Sequence, residues 1–145
     1  MMREGNGAAQ GPATGAPAGD DGFVLVYVTA ADVEEARRIG REAVRQRLAA
    51  CANIYPEIFS YYWWQGDLVE DREAVVILKT RRSLVPRVIE AVRSWHSYSV
   101  PAILAVDLRD GNPDYLAWLR AETEGAGGAG NRGGQDAPEH AGSAG

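Results

Sequence analysis

Between Phe23 and Glu122 the apolar positions follow regular periods, and outside that span they follow none. Phe23 to Ala30 (FVLVYVTA) is β-branched and aromatic throughout, which reads as a strand with both faces buried. Asp32 stands where a helix needs an N-cap, and Glu35, three residues on, completes a capping box. Val33, Ala36, Ile39, Gly40, Ala43, Val44 and Leu48 then recur at helical spacing. The small ones among them let the helix lie close on a sheet. Glu34 and Arg38 have the favourable i,i+4 arrangement on its wet face.

Cys51 to Trp64 is a long extended segment, interrupted near Pro56. Gln65-Gly66-Asp67 supplies turn chemistry, and Leu68 to Thr80 resumes as strand through the apolar run Val75 to Leu78. Two such runs on either side of a short glycine turn predict a β-hairpin. Ser83 is placed to cap a second helix with Val85, Val88, Ile89, Val92 and Trp95 as its stripe. Pro86 sits in the first turn, where a missing N–H costs little. That helix is expected to stop near His96. Pro101 opens a fourth strand, Ala102 to Leu108. Asn112 and Pro113 then start a short last helix whose inner face is Tyr115, Leu116 and Leu119.

The order β-α-β-β-α-β plus a terminal helix predicts an α+β fold, a ferredoxin-like sandwich with an extra C-terminal helix. One feature of the pattern does not fit a lone copy. Strands one, three and four are apolar on both faces, whereas a sheet wet on one side alternates. The second face needs a cover, and only one short helix is left to provide it. Self-association into a homo-oligomer is the expected answer.

Composition sets the limits of the domain. Of 17 glycines only Gly40, Gly66 and Gly111 lie within 23–122. Residues 1–22 and 123–145 are Gly/Ala/Pro mixtures expected to form disordered tails, because they bury too little to offset the entropy of ordering. Within 23–122 there are 13 Lys/Arg against 14 Asp/Glu. That balance argues against nucleic acid as a partner, since a basic footprint is missing. No apolar run approaches a membrane span. The single cysteine, Cys51, rules out an intrachain disulfide and makes a reducing cytoplasm the expected location.

Specific motifs go further. They are Leu48-Ala49-Ala50-Cys51-Ala52-Asn53, Tyr62-Trp63-Trp64-Gln65-Gly66, and Glu73 to Thr80 ending in Lys79-Thr80. His96-Ser97-Tyr98-Ser99-Val100-Pro101 and Tyr115-Leu116-Ala117-Trp118 follow. In this order and without large insertions they resemble the CutA family of divalent-cation tolerance proteins across the whole core. The resemblance implies a cytoplasmic homotrimer of subunits similar to the GlnB/PII signalling proteins, with the long hairpin reaching onto neighbours. It also implies a part in tolerance of copper and other divalent cations, copper binding, and no established enzymatic reaction. The chain departs from the family pattern at three places. Ala102 replaces a glutamate after Pro101, Val28 replaces a cysteine in the first strand, and Asp67 replaces a basic residue at the turn. The first two remove a carboxylate and a thiol from any metal set carried over.

Candidate chemistry is sparse. Cys51 suits a soft ion such as Cu(I), and His96 and Glu73 are the other candidate ligands for copper or another divalent cation. Each also has a structural reading: Cys51 as a small buried hydrophobe, His96 as a helix C-terminal residue. One Cys and one His cannot close a four-ligand site in one chain, so a metal needs ligands shared between subunits. Tyr62, Trp63 and Trp64 are expected at the trimer interface, as large amphipathic side chains are. Glu73 and Lys79 share a strand face and line a cleft or a salt-bridged edge. Tyr98 and Trp118 are expected around the fourth strand and last helix. No Ser/His/Asp set, H-E-x-x-H motif or glycine-rich phosphate loop is present. An enzyme is therefore not expected, nor an organic cofactor. The alternative is a PII-like signalling module that binds a small ligand or an unknown protein partner at inter-subunit clefts.

Overall fold

The computed structural model describes residues 21–126. The elements are β1 (Phe23–Ala30), α1 (Val33–Arg45), β2 (Cys51–Trp64), β3 (Asp67–Arg81), α2 (Val85–Trp95), β4 (Ile103–Leu108) and α3 (Pro113–Glu122). The strands form one antiparallel sheet in the order β2-β3-β1-β4. This is the predicted ferredoxin-like arrangement with its extra helix.

Alternation along the strands sorts the side chains. Val24, Val26, Val28 and Ala30 of β1 and Ala74, Val76 and Leu78 of β3 face the two long helices. There they are fully buried with Ala36, Ile39 and Ala43 of α1 and Val88 and Val92 of α2. Gly40 brings α1 down onto the sheet, because a Cβ there would stand 3.0 Å from Ala52 Cβ and 3.2 Å from Val76 Cγ2. Asp32 caps α1, its Oδ1 accepting from the Glu35 N–H at 2.9 Å, and Asn112 caps α3. The hairpin turn is the two residues Gln65 and Gly66, both at positive φ (52° and 88°). Those angles match the type I′ turn that suits the twist of paired strands.

Opposite the helices lies the second face of the sheet. α3 covers one end of it: Tyr115 meets Lys79 of β3, and Arg120 stacks over Phe23 of β1 at 4.8 Å. The rest is bare. Leu104 (58% exposed), Val106 and Tyr55 are open to solvent, with Leu25, Tyr27 and Ile77 half-buried beside them.

Several local expectations are corrected. Ser83 does not cap α2; a 3-10 turn, Arg82–Leu84, precedes the helix. The Ser83 N–H and hydroxyl instead donate to Asp21, which also pairs with Arg81. Arg38 pairs with Glu35 and the Trp95 carbonyl, not with Glu34. Packed structure also reaches past the expected boundaries at 22 and 123. Besides Asp21, Thr123 is fully buried, its hydroxyl accepting from Arg81 and donating to the Leu119 carbonyl. The remainder of both tails lies outside the described residues.

Candidate functional site

Three places carry the candidate residues: the hairpin, the loop between α2 and β4, and a corner where β2, β3 and α3 meet. The hairpin extends beyond the helices. Between Tyr55 and Ile58 the β2 strand holds one more residue than its partner, a bulge at Pro56 and Glu57. Past it, Phe59, Tyr61 and Trp63 lie opposite Arg72, Glu70 and Leu68, on the continuation of the helix-covered face. With no helix to cover them they are exposed: Phe59 58%, Tyr61 65%, Trp63 69% and Leu68 62%. Tyr62 and Trp64 point to the other face and are half-buried, Tyr62 donating to Asp71 at 3.0 Å. Of the three expected interface aromatics, Trp63 is therefore the most open.

The loop after α2 holds a buried polar network. The His96 side chain has no exposed surface. Its Nε2 is 2.7 Å from the Thr29 carbonyl oxygen, and its Nδ1 accepts from the Tyr98 N–H at 3.0 Å. In the neutral ring, Nε2 carries the proton and donates to Thr29, so both nitrogens are engaged and neither lone pair is open to an ion. Glu35 lies beneath. Its carboxylate accepts from the Ala31 N–H, the Ser97 N–H and the Ser97 hydroxyl, all within 3.0 Å. Burial on its own raises the pKa of this carboxyl, but the Ala31 and Ser97 donors outweigh it and hold the group below its usual value. Tyr98 stacks against His96 at 4.7 Å and donates to Glu73 Oε2 at 2.7 Å. Glu73 is buried at 4% exposure, so burial and the Glu73 carboxylate raise the Tyr98 hydroxyl far above its usual range. A chain of contacts thus runs from α1 through the loop to β3, fixing the entry to β4.

In the third place, register puts Cys51 of β2 opposite Lys79 of β3. Tyr115 of α3 joins them. Lys79 Nζ is 3.4 Å from Tyr115 Oη and 5.4 Å from the ring centroid, and the hydroxyl is hydrogen-bonded with the Cys51 thiol. Burial, then the neighbouring thiol, raise the Tyr115 pKa against the pull of Lys79. Trp118 stacks on Tyr115 at 5.3 Å. It lines a cavity of about 370 Å³ with Val44, Ala49 and Ala50.

The three expected metal ligands are not brought together. Cys51 lies at the start of β2 opposite Lys79, whereas Glu73 lies in the middle of β3 opposite Ile58, about 20 Å from Lys79 by strand rise. Those two form no ion pair: Glu73 is bound by Tyr98, and Lys79 by Tyr115. Among the described residues, no three His, Cys, Asp or Glu side chains are grouped closely enough to hold an ion. The described residues of one chain therefore bring no set of metal ligands together. Sequence reasoning missed Glu35 as a buried hub, since three residues after an N-cap it looks like an ordinary capping partner. It also missed Tyr115 as the link between Cys51 and Lys79.

The fold and this arrangement have known counterparts. A model of the CutA1 divalent ion tolerance protein family matches residues 24–122. The chain belongs to the CutA family. The divalent-cation tolerance protein CutA of Thermus thermophilus is 43% identical over 99 residues, 68% of this chain and 96% of that protein. The crystal structure of CutA1 from Oryza sativa superposes with a TM-score of 0.70 at 40% identity, covering 71% of this chain and 94% of that one. The periplasmic divalent cation tolerance protein CutA of Archaeoglobus fulgidus gives 0.69 at 35% identity, covering 70% and 99%. The family match spans the hairpin, the His96 loop and the Cys51 corner. All three sites therefore belong to the CutA domain itself.

Proposed function

We propose that this CutA protein acts as a homotrimer in the response to divalent metal ions, as a binding protein and not an enzyme. The observation that carries the reading is the uncovered apolar surface: the Leu104, Val106 and Tyr55 face of the sheet and the Phe59, Tyr61, Trp63 and Leu68 stripe on the hairpin. Surfaces of this kind on a small domain mark places where other chains pack. The resemblance of the motifs to the CutA family supports three as the number of copies. Self-association also answers the sparse metal chemistry of one chain. Cys51 is the partly exposed candidate ligand, so a thiophilic ion such as copper takes it as one donor and completes its set from a second copy. His96 is locked in place by its two hydrogen bonds and serves the loop, not the ion. The relatives are named for tolerance of divalent cations. No helix among the described residues is long and apolar enough to cross a membrane, and the cytoplasm is the proposed location.

Calorimetric titration of the assembled protein with Cu(I) and Cu(II) tests the metal reading. Less than one ion per chain is expected, because ligands are shared, and binding is expected to vanish in Cys51→Ala. Binding that is absent, or unchanged in that variant, would overturn it.

A further inference from the structure

We propose that Cys51 and Lys79 form an oxidative covalent cross-link, with a hydroperoxide as the oxidant. Cys51 is the chain's only cysteine, and of its 15 Lys and Arg residues only Lys79 is lysine. The sheet register sets these two directly opposite each other on adjacent strands. A cation over an aromatic ring does not by itself call for lysine. Elsewhere in this chain arginine does it, Arg72 over Phe59 and Arg120 over Phe23. What lysine has and arginine lacks is an amine that can lose its proton and act as a nucleophile. That chemistry is placed beside the one thiol.

Tyr115 holds both groups at once, its hydroxyl bonded with the thiol and 3.4 Å from Nζ. In the single chain Cys51 is partly exposed, within reach of a small peroxide. In the first step the thiol sulfur takes the distal peroxide oxygen: Cys51–SH and ROOH give Cys51–SOH and ROH. The O–O bond breaks, and sulfur is oxidised by two electrons. With no second cysteine in the chain, the sulfenic acid has no intrachain thiol to condense with. The Lys79 amine, its ammonium having released a proton to solvent, attacks sulfur. An S–N bond forms, the S–O bond breaks, and hydroxide leaves with a proton as water. The product, Cys51–S–NH–Lys79, ties β2 to β3 at the base of the hairpin and is opened again by a thiol reductant. This inference does not depend on the metal reading, and its test is run with a chelator present.

The assembled full-length protein is treated with hydrogen peroxide, with and without dimedone to trap sulfenic acid. Intact masses and peptide maps are compared for wild type, Cys51→Ser, Lys79→Arg and Tyr115→Phe. Wild type is expected to lose the mass of two hydrogen atoms and to yield one peptide joining β2 to β3 through Cys51 and Lys79. Lys79→Arg keeps the charge but has no such amine. It should show no link and roughly tenfold more dimedone adduct at Cys51 than wild type. Tyr115→Phe should still oxidise but form the link more slowly, and Cys51→Ser should do neither. The proposal is overturned by equal dimedone labelling of wild type and Lys79→Arg. A disulfide between two copies, or an unreactive Cys51, overturns it equally.

Discussion

Replacing Trp63 by serine tests the hairpin as an assembly surface. Trp63 is 69% exposed in the single chain. A tryptophan side chain presents up to about 250 Å², so covering the exposed part removes about 170 Å² from water. At roughly 25 cal/mol per Å² that is about 4 kcal/mol per copy. The figure is an upper bound, because ordering and desolvation at an interface oppose it. Half of it, about 2 kcal/mol, would weaken association roughly 30-fold per copy. The subunit's own fold should change by no more than about 0.5 kcal/mol, as for other surface substitutions. Sedimentation velocity over a dilution series separates these effects. Trp63→Ser should dissociate at concentrations where wild type stays assembled, while keeping native far-UV circular dichroism. A variant that remains assembled through the same dilutions as wild type would refute the reasoning. So would one that loses its secondary structure even when concentrated.

Other expectations concern the buried network and the helix seat. Glu35 has a folded-state pKa below 4.5, so its contribution is present above that value and is lost as pH falls through the depressed one. Glu35→Gln should flatten the acid limb of a stability–pH profile; an unchanged limb would show that another carboxylate governs it. The same change turns an amide N–H toward buried donors, at about 1–3 kcal/mol near neutral pH by urea unfolding. Tyr98→Phe leaves the buried Glu73 carboxylate without its donor. It should cost about 1–3 kcal/mol, and an unaltered melting curve would show that the bond adds nothing. Gly40→Ala sets a helix-propensity gain of about 1 kcal/mol against overpacking of about 1–3 kcal/mol. Contacts of 3.0 and 3.2 Å favour the second term, so the variant should unfold at lower urea, and Ala52→Gly should restore part of the loss. A more stable Gly40→Ala would mean that α1 shifts freely.

Much of the fold was legible because local chemistry and global packing agree. Asp32 and Asn112 cap the helices they precede, and Gln65-Gly66 makes the turn. The apolar second face of β1, β3 and β4 showed in the composition of the strands before any coordinate did. What stayed hidden depends on contacts far apart in the chain. Glu35 looks like a capping residue until Ser97, 62 positions later, donates to it twice. Ser83 looks like a cap until Asp21, from before β1, takes its hydrogen bonds. Adjacent Trp63 and Trp64 must point to opposite faces of the strand. Which of them stays open is decided by the bulge at Pro56 and by where the helices end. Cys51 and Glu73 were both read as metal ligands, yet strand register alone separates them.

Light scattering of the wild-type chain over a wide dilution range measures the assembly itself. A mass of three times the 15.6 kDa chain, held down to low micromolar concentration, is the expected result. A stable, folded species of 15.6 kDa under those conditions would mean that the bare sheet face and hairpin stripe stay in water, and would contradict the account.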